Sequence, residues 1–128
     1  EDANRKFADN SRLNFLLSVC CYKLKKFALA MEYAQSSMEQ DRTNEECARH
    51  FYEILFAIGM QAKADWHLGK YGQYFPKPAS MYAWLAEKYL NIQDINKAYF
   101  WIQKAMKADQ KDLQIQEQFR KIIMLRKN

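Results

Sequence analysis

Cys47 and His50 stand three residues apart, the spacing that sets two side chains on one face of a helix. With His67 and Cys20 or Cys21 they are the side chains able to ligate a metal. Zinc takes about four such ligands, and nothing in the spacing brings four of these together. No metal and no cofactor is therefore expected. Glu53 and Glu87 are the carboxylates able to meet across a helical surface, but charges on helix faces are ordinarily solvated. The sequence holds no glycine-rich phosphate loop, no nucleophile elbow and no zinc-protease helix motif. No catalytic residue is assigned, and the chain reads as a binding protein, not an enzyme. The three cysteines are an odd set and argue against a disulfide framework. Neighbouring Cys20 and Cys21 point about 100° apart on a helix. All three are expected to be buried free thiols acting as small apolar residues, which favours a reducing, cytoplasmic setting.

The elements that must hold these residues are helices. About half of the residues are apolar (49%), with only 3 Gly and 2 Pro in 128 residues. Sheets and tight hairpins need more turn residues than that. The longest apolar stretch, around Phe51 to Met60, falls well short of the roughly 20 residues of a membrane helix. The sequence begins Glu1-Asp2-Ala3-Asn4 and reads as a piece of a longer protein, with residues 1–10 as a tail or the end of a preceding segment.

A period of 34 residues runs through the rest. Ala30, Ala64 and Ala98 keep it, as do Leu17, Phe51 and Leu85. So do Leu24, Ile58 and Ile92, then Cys21, Leu55 and Tyr89, then Ala34, Leu68 and Ile102. The period divides the chain into units at 11–44, 45–78 and 79–112, with 113–128 left over, all within one domain over 11–128. Each unit carries two apolar stripes at helical spacing with a short break between them. Helices are predicted near 11–25, 28–41, 45–58, 61–74, 79–91, 95–108 and 113–126. The first stripe contains Leu13, Leu16, Leu17, Cys20, Cys21 and Leu24. Thr43 and Glu46 are spaced as a capping box, Pro78 suits a first turn, and Asp112 suits an N-cap. Residues 113–127 form a closing helix with Leu113, Gln116, Phe119, Ile122, Ile123 and Arg126 along one side.

These columns resemble the tetratricopeptide repeat. Leu17-Ser18-Val19-Cys20-Cys21-Tyr22-Lys23-Leu24-Lys25-Lys26-Phe27-Ala28-Leu29-Ala30 is similar to its first helix, turn and packing alanine. Trp84-Leu85-Ala86-Glu87-Lys88-Tyr89, followed by Ala98 and Ala105, is more similar still, and Pro76 falls where the family closes a repeat. The resemblance implies an all-α fold: three tandem helix-turn-helix hairpins and a C-terminal capping helix in a right-handed α-solenoid. The middle unit departs from the pattern, with Tyr52 and Tyr71 in columns that are usually small and with Gly69 and Gly72 in its second helix. Either the glycines make room for those tyrosines or that helix is bent or short.

The resemblance also implies a site. First helices of successive units line a concave groove that binds a peptide or protein segment, as a scaffold or adaptor does. By register the groove shows Arg12, Phe15, Val19, Tyr22 and Lys23 from the first unit. Arg49, Glu53 and Phe56 follow from the second, and Ser80, Ala83, Glu87 and Leu90 from the third. Phe15, Tyr22 and Phe56 are expected to face outward as one apolar strip, with Arg49 and Glu53 beside it or paired with each other. A subclass of the family clamps a chaperone's terminal carboxylate with Lys, Asn and Arg. At the matching positions stand Phe15, Val19, His50, Ser80 and Trp84, so that clamp is disfavoured. Two alternatives remain. The net charge of +5 lies wholly in residues 97–128, where Lys97, Lys104, Lys107, Lys111, Arg120, Lys121, Arg126 and Lys127 face three acidic residues. With Phe100, Trp101 and Phe119 this basic end suits nucleic acid or another anionic partner, although a closing helix with a solvated outer side explains the charge equally. Tyr71, Tyr74 and Phe75 suit a homodimer patch.

Overall fold

The computed structural model describes residues 10–127, so the expected tail, Asn10 apart, lies outside the described residues. Among the described residues there are seven α-helices, one short 3-10 turn and no strand. The chain forms two compact units, Glu1–Lys70 and Tyr71–Asn128. The first holds α1 (Ser11–Lys23), α2 (Phe27–Gln40), α3 (Glu45–Ala57) and α4 (Gln61–Tyr71), whose last residue opens the second. The second holds the 3-10 turn (Gly72–Tyr74), α5 (Pro78–Asn91), α6 (Ile95–Ala108) and α7 (Leu113–Lys127).

Helix starts follow from side chains that satisfy the unpaired N–H groups of a first turn. Asn10 accepts from Leu13 N at 2.9 Å, and Asn44 accepts from Cys47 N at 3.0 Å. The cap of α3 is thus Asn44 and not the expected Thr43. Pro78 opens α5, and Asp112 accepts from Gln114 N and Ile115 N at 2.9 and 3.2 Å. These four positions, 10, 44, 78 and 112, keep the period of the sequence.

The hairpin turns keep it too. Lys25 (φ 61°), Gly59 (φ 77°) and Gln93 (φ 63°) all take the left-handed conformation. After each, an amide reaches back five residues: Lys26 N to Cys21 O at 2.9 Å, Met60 N to Leu55 O at 2.8 Å and Asp94 N to Tyr89 O at 2.9 Å. This is the bonding that closes a helix end with a left-handed residue. Only glycine adopts that conformation without steric cost, so the Lys25 and Gln93 turns are strained where the Gly59 turn is not.

Packing follows four of the five apolar columns. Ala30, Ala64 and Ala98 are 0% exposed, as a close approach of paired helices requires. The column of Leu24, Ile58 and Ile92 is different: these residues are the C-caps of α1, α3 and α5, and Leu24 and Ile92 are exposed. Leu16 and Cys20, expected in the first stripe, also face solvent, so only Cys21 and Cys47 are buried thiols. All three cysteines are free.

The helix expected to reach residue 74 stops at Tyr71. A Cβ on Gly72 would lie 2.6 Å from Tyr82 Cε1, while one on Gly69 would meet nothing. Gly72 therefore makes room for Tyr82, not for Tyr52 or Tyr71. In the closing helix α7 the buried residues are Ile115 and Ile122, with Phe119 stacked on Tyr99 and Leu113 exposed. The buried stripe is rotated from the expected one at its start, because Ile115 and not Leu113 lies one turn ahead of Phe119.

Candidate functional site

In the first unit, α1 and α3 lie side by side, and His50 of α3 joins them. Its ring meets Phe15 edge-on at 5.5 Å between centroids and Tyr22 edge-on at 5.6 Å. Nε2 of His50 lies 3.0 Å from Ser18 Oγ, which in turn donates to the Ala30 carbonyl at 2.8 Å. Burial holds the His50 pKa below its ordinary value, against the opposing pull of its contact with the Ser18 backbone and the charge of Glu53. The imidazole is therefore neutral at neutral pH.

The expected groove residues distribute as follows. Phe15 is 7% exposed, closed over by His50 and by the Arg12 guanidinium, which sits 5.3 Å from the ring centre. It is a floor of the site and not the outward anchor that the register implied. A neighbouring-helix ring, 35 positions later in the chain, covers it. Val19, Tyr22, Glu53 and Phe56 are half-buried and reach the surface. Tyr22 also packs edge-on against Phe27 of α2 at 5.5 Å. Lys23 is exposed in the last turn of α1. Arg49 pairs with Glu45 at 3.6 Å and Arg12 with Glu46 at 3.3 Å, both glutamates of the acidic first turn of α3.

In the second unit Ala83 is half-buried and Glu87 exposed on α5. Gln118 of α7 donates from Nε2 to the Ala83 carbonyl at 3.0 Å and to Glu87 Oε1 at 3.4 Å. Ser80 is exposed and Leu90 half-buried.

Two residues weighed as metal ligands have other work. His67 Nδ1 lies 2.7 Å from the Tyr52 hydroxyl, and burial pushes its pKa down to about 4, aided by Lys63. This pairing is how a tyrosine sits fully buried in a column that is usually small. Cys47 Sγ lies 3.2 Å from Ser37 Oγ, and burial raises its pKa. Among the described residues no three of His, Cys, Asp and Glu gather.

The basic end changes as well. Trp101 is 1% exposed, with Tyr82 stacked on it, and Phe119 lies on Tyr99, leaving Phe100 as the exposed ring of the three. The rings expected to serve as stacking platforms are mostly core. Phe75 of the expected dimer patch is buried, and Tyr74 is exposed.

No family model matches the chain, and no curated protein matches it by sequence. Among solved structures, the first tetratricopeptide domain of Spaghetti (RPAP3), solved bound to the HSP90 peptide SRMEEVD, matches with a TM-score of 0.64. The match covers 92% of this chain and 94% of that one at 13% identity. The fold is tetratricopeptide-like. In a tetratricopeptide-like hairpin array the register of His50 recurs at Trp84 and Gln118, and both His50 and Gln118 reach back to the preceding first helix. Sequence reasoning weighed His50 as a metal ligand and as a failed clamp residue, not as a groove residue. The available signal was its position 34 residues after Leu16, which lies between Phe15 and Val19 in the aligned column.

Proposed function

We propose that this chain is a protein-interaction module without catalytic activity, binding a peptide or protein segment on its first helices. The observation that carries the reading is the surface of α1 and α3. Tyr22 packs on the His50 ring, which also covers Phe15, and Val19 and Phe56 of the same two helices are half-buried and reach solvent. Partly buried aromatic groups over a fixed floor are the kind of site that supplies most of a binding energy. A tetratricopeptide-like neighbour solved with a peptide supports the same reading. A chaperone-tail carboxylate is not the proposed ligand, because Phe15, Val19, His50, Ser80 and Trp84 replace the clamp's cations and amides.

The test is affinity capture from native lysate with the wild-type chain and two variants. Phe56→Ala lowers recovery of the partner roughly tenfold or more, with the helical circular dichroism unchanged. Lys121→Ala with Lys127→Ala leaves recovery unaltered. The reverse pattern moves the site to the basic end and makes an anionic partner the better reading.

A further inference from the structure

The closing helix α7 turns apolar side chains toward solvent. A helix that ends a repeat array covers an apolar face with one side and gives solvent a polar other side. In α7 the covered side holds Ile115 and Ile122. Nine residues make about two and a half helical turns, so Leu113 stands opposite Ile122 and Met124 opposite Ile115. Leu113 is 77% exposed and Met124 63% exposed, the two most exposed apolar side chains of the helix. Between them on the same stripe lie Glu117 and Arg120, which pair with each other at 2.9 Å while both side chains stay exposed.

The stripe therefore runs Leu113, Glu117, Arg120, Met124, in steps of four, three and four residues. That spacing is the same read from either end. Both ends are apolar, and reversal exchanges the central acid with the central base. Two such helices laid antiparallel about a two-fold axis set Leu113 of each against Met124 of the other, and Glu117 of each against Arg120 of the other. The four charges then form a ring of alternating sign. Lys121, at the edge of the stripe, falls beside Glu117 of the second copy. Lys127 falls beside the start of the other α7, where Asp109 and Asp112 stand with Lys111. Arg126 is turned away, over the Tyr99 ring at 4.0 Å. A parallel pair would instead oppose Glu117 to Glu117 and Arg120 to Arg120. An unrelated partner gives no reason for a stripe that complements its own reversal, whereas a second copy does.

We infer that α7 is a self-association surface, on which a second copy of this chain docks its own α7 antiparallel through Leu113, Glu117, Arg120 and Met124. The inference goes beyond the surface of α1 and α3 and stands without it. It also sets self-association apart from the patch of Tyr71, Tyr74 and Phe75, of which Phe75 is buried. A single helix pair is a small interface, so the dimer is weak, with a Kd on the order of 100 µM.

The test is sedimentation velocity of the full chain from about 10 µM to about 1 mM. The wild-type chain is expected to pass from monomer toward dimer across this range. Glu117→Arg fills the ring with positive charge and Arg120→Glu fills it with negative charge, so each should weaken association about tenfold or more. Both positions are exposed, so the helical circular dichroism stays unchanged. Mixed in equal amounts, the two variants oppose arginines of one copy to glutamates of the other. The mixture should associate more tightly than either variant alone. A wild-type chain that stays monomeric throughout the range overturns the inference. A dimer that both reversals leave intact overturns it too and moves the surface elsewhere, the Tyr74 patch included. A mixture no tighter than its components overturns the antiparallel pairing.

Discussion

The two units pack helices on the same 34-residue register with different chemistry. Among the described residues, the three buried polar side chains, Asn14, Ser18 and Ser37, belong to the first unit. Each is hydrogen-bonded: Asn14 to Gln40 at 3.1 Å, Ser18 to Ala30 and His50, and Ser37 to the Ser11 carbonyl at 3.0 Å. The Tyr52–His67 pair adds a further polar bond across a seam. In the second unit the corresponding seams hold Met81, Leu85, Ala86, Tyr89, Ala98, Trp101, Ile102, Ala105, Ile115 and Ile122. Apolar seams give stability that depends on shape. Hydrogen-bonded seams fix side chains in one orientation, since a half-satisfied network costs more than it returns. The lesson is that the first unit holds buried side chains by hydrogen bonds, while the buried seams of the second are held by apolar shape.

That comparison is sharpest where a single change separates shape from bonding. Ile102→Ala in the second unit removes a fully buried side chain and should cost about 2–5 kcal/mol in urea denaturation. Ser37→Ala in the first unit removes a bonded hydroxyl and should cost only about 1–2 kcal/mol. Equal losses would erase the distinction. Two alanine changes then divide the second unit from its border. Gly72→Ala, whose methyl meets Tyr82, and Ala98→Leu, which overfills a fully closed hairpin contact, should each cost about 1–3 kcal/mol. Gly69→Ala meets nothing and should instead gain up to about 1 kcal/mol.

The polar seam also predicts a pH signature. His67 is held at a pKa of about 4 in the folded chain, below the 6.5 of a free histidine. As pH falls below 6.5 the unfolded chain takes up a proton that the folded chain refuses. Stability drops through this window and levels off near pH 4, where the folded state protonates too. The loss is of order 1–3 kcal/mol after allowance for the exposed part of the ring. His67→Phe should flatten that slope in thermal melts across the same range. The smallest effect concerns the turns. Lys25→Gly and Gln93→Gly relieve left-handed strain and should raise stability by up to about 1 kcal/mol each, while Gly59→Ala should lower it by a similar amount.

Much of the fold was legible in the sequence because helical packing is local and periodic. The seven helices fall within three residues of the predicted spans, and the packing alanines Ala30, Ala64 and Ala98 are fully closed. The turns were legible as breaks but not as left-handed residues. Lysine and glutamine carry no signal for that conformation, and only Gly59 hints at it. The site was less legible. Register put Phe15 outward, but a ring from the next first helix, His50, folds down over it. That closure depends on Ser18 bonding His50, a partnership between residues 32 apart that no stripe reveals. Gly72 likewise answers to Tyr82, a residue of the following helix, and not to the tyrosines nearest in register.

The central claim is that partner recognition lies on α1 and α3 of the first unit. Backbone amide resonances followed by nuclear magnetic resonance, while a library-selected peptide is titrated into the labelled chain, test it directly. The account predicts that the largest shift changes fall on Val19, Tyr22, His50, Glu53 and Phe56, with residues 97–127 little moved. Changes confined to Lys97, Lys104, Lys107, Lys121 and Lys127, with Tyr22 and Phe56 unmoved, would contradict it.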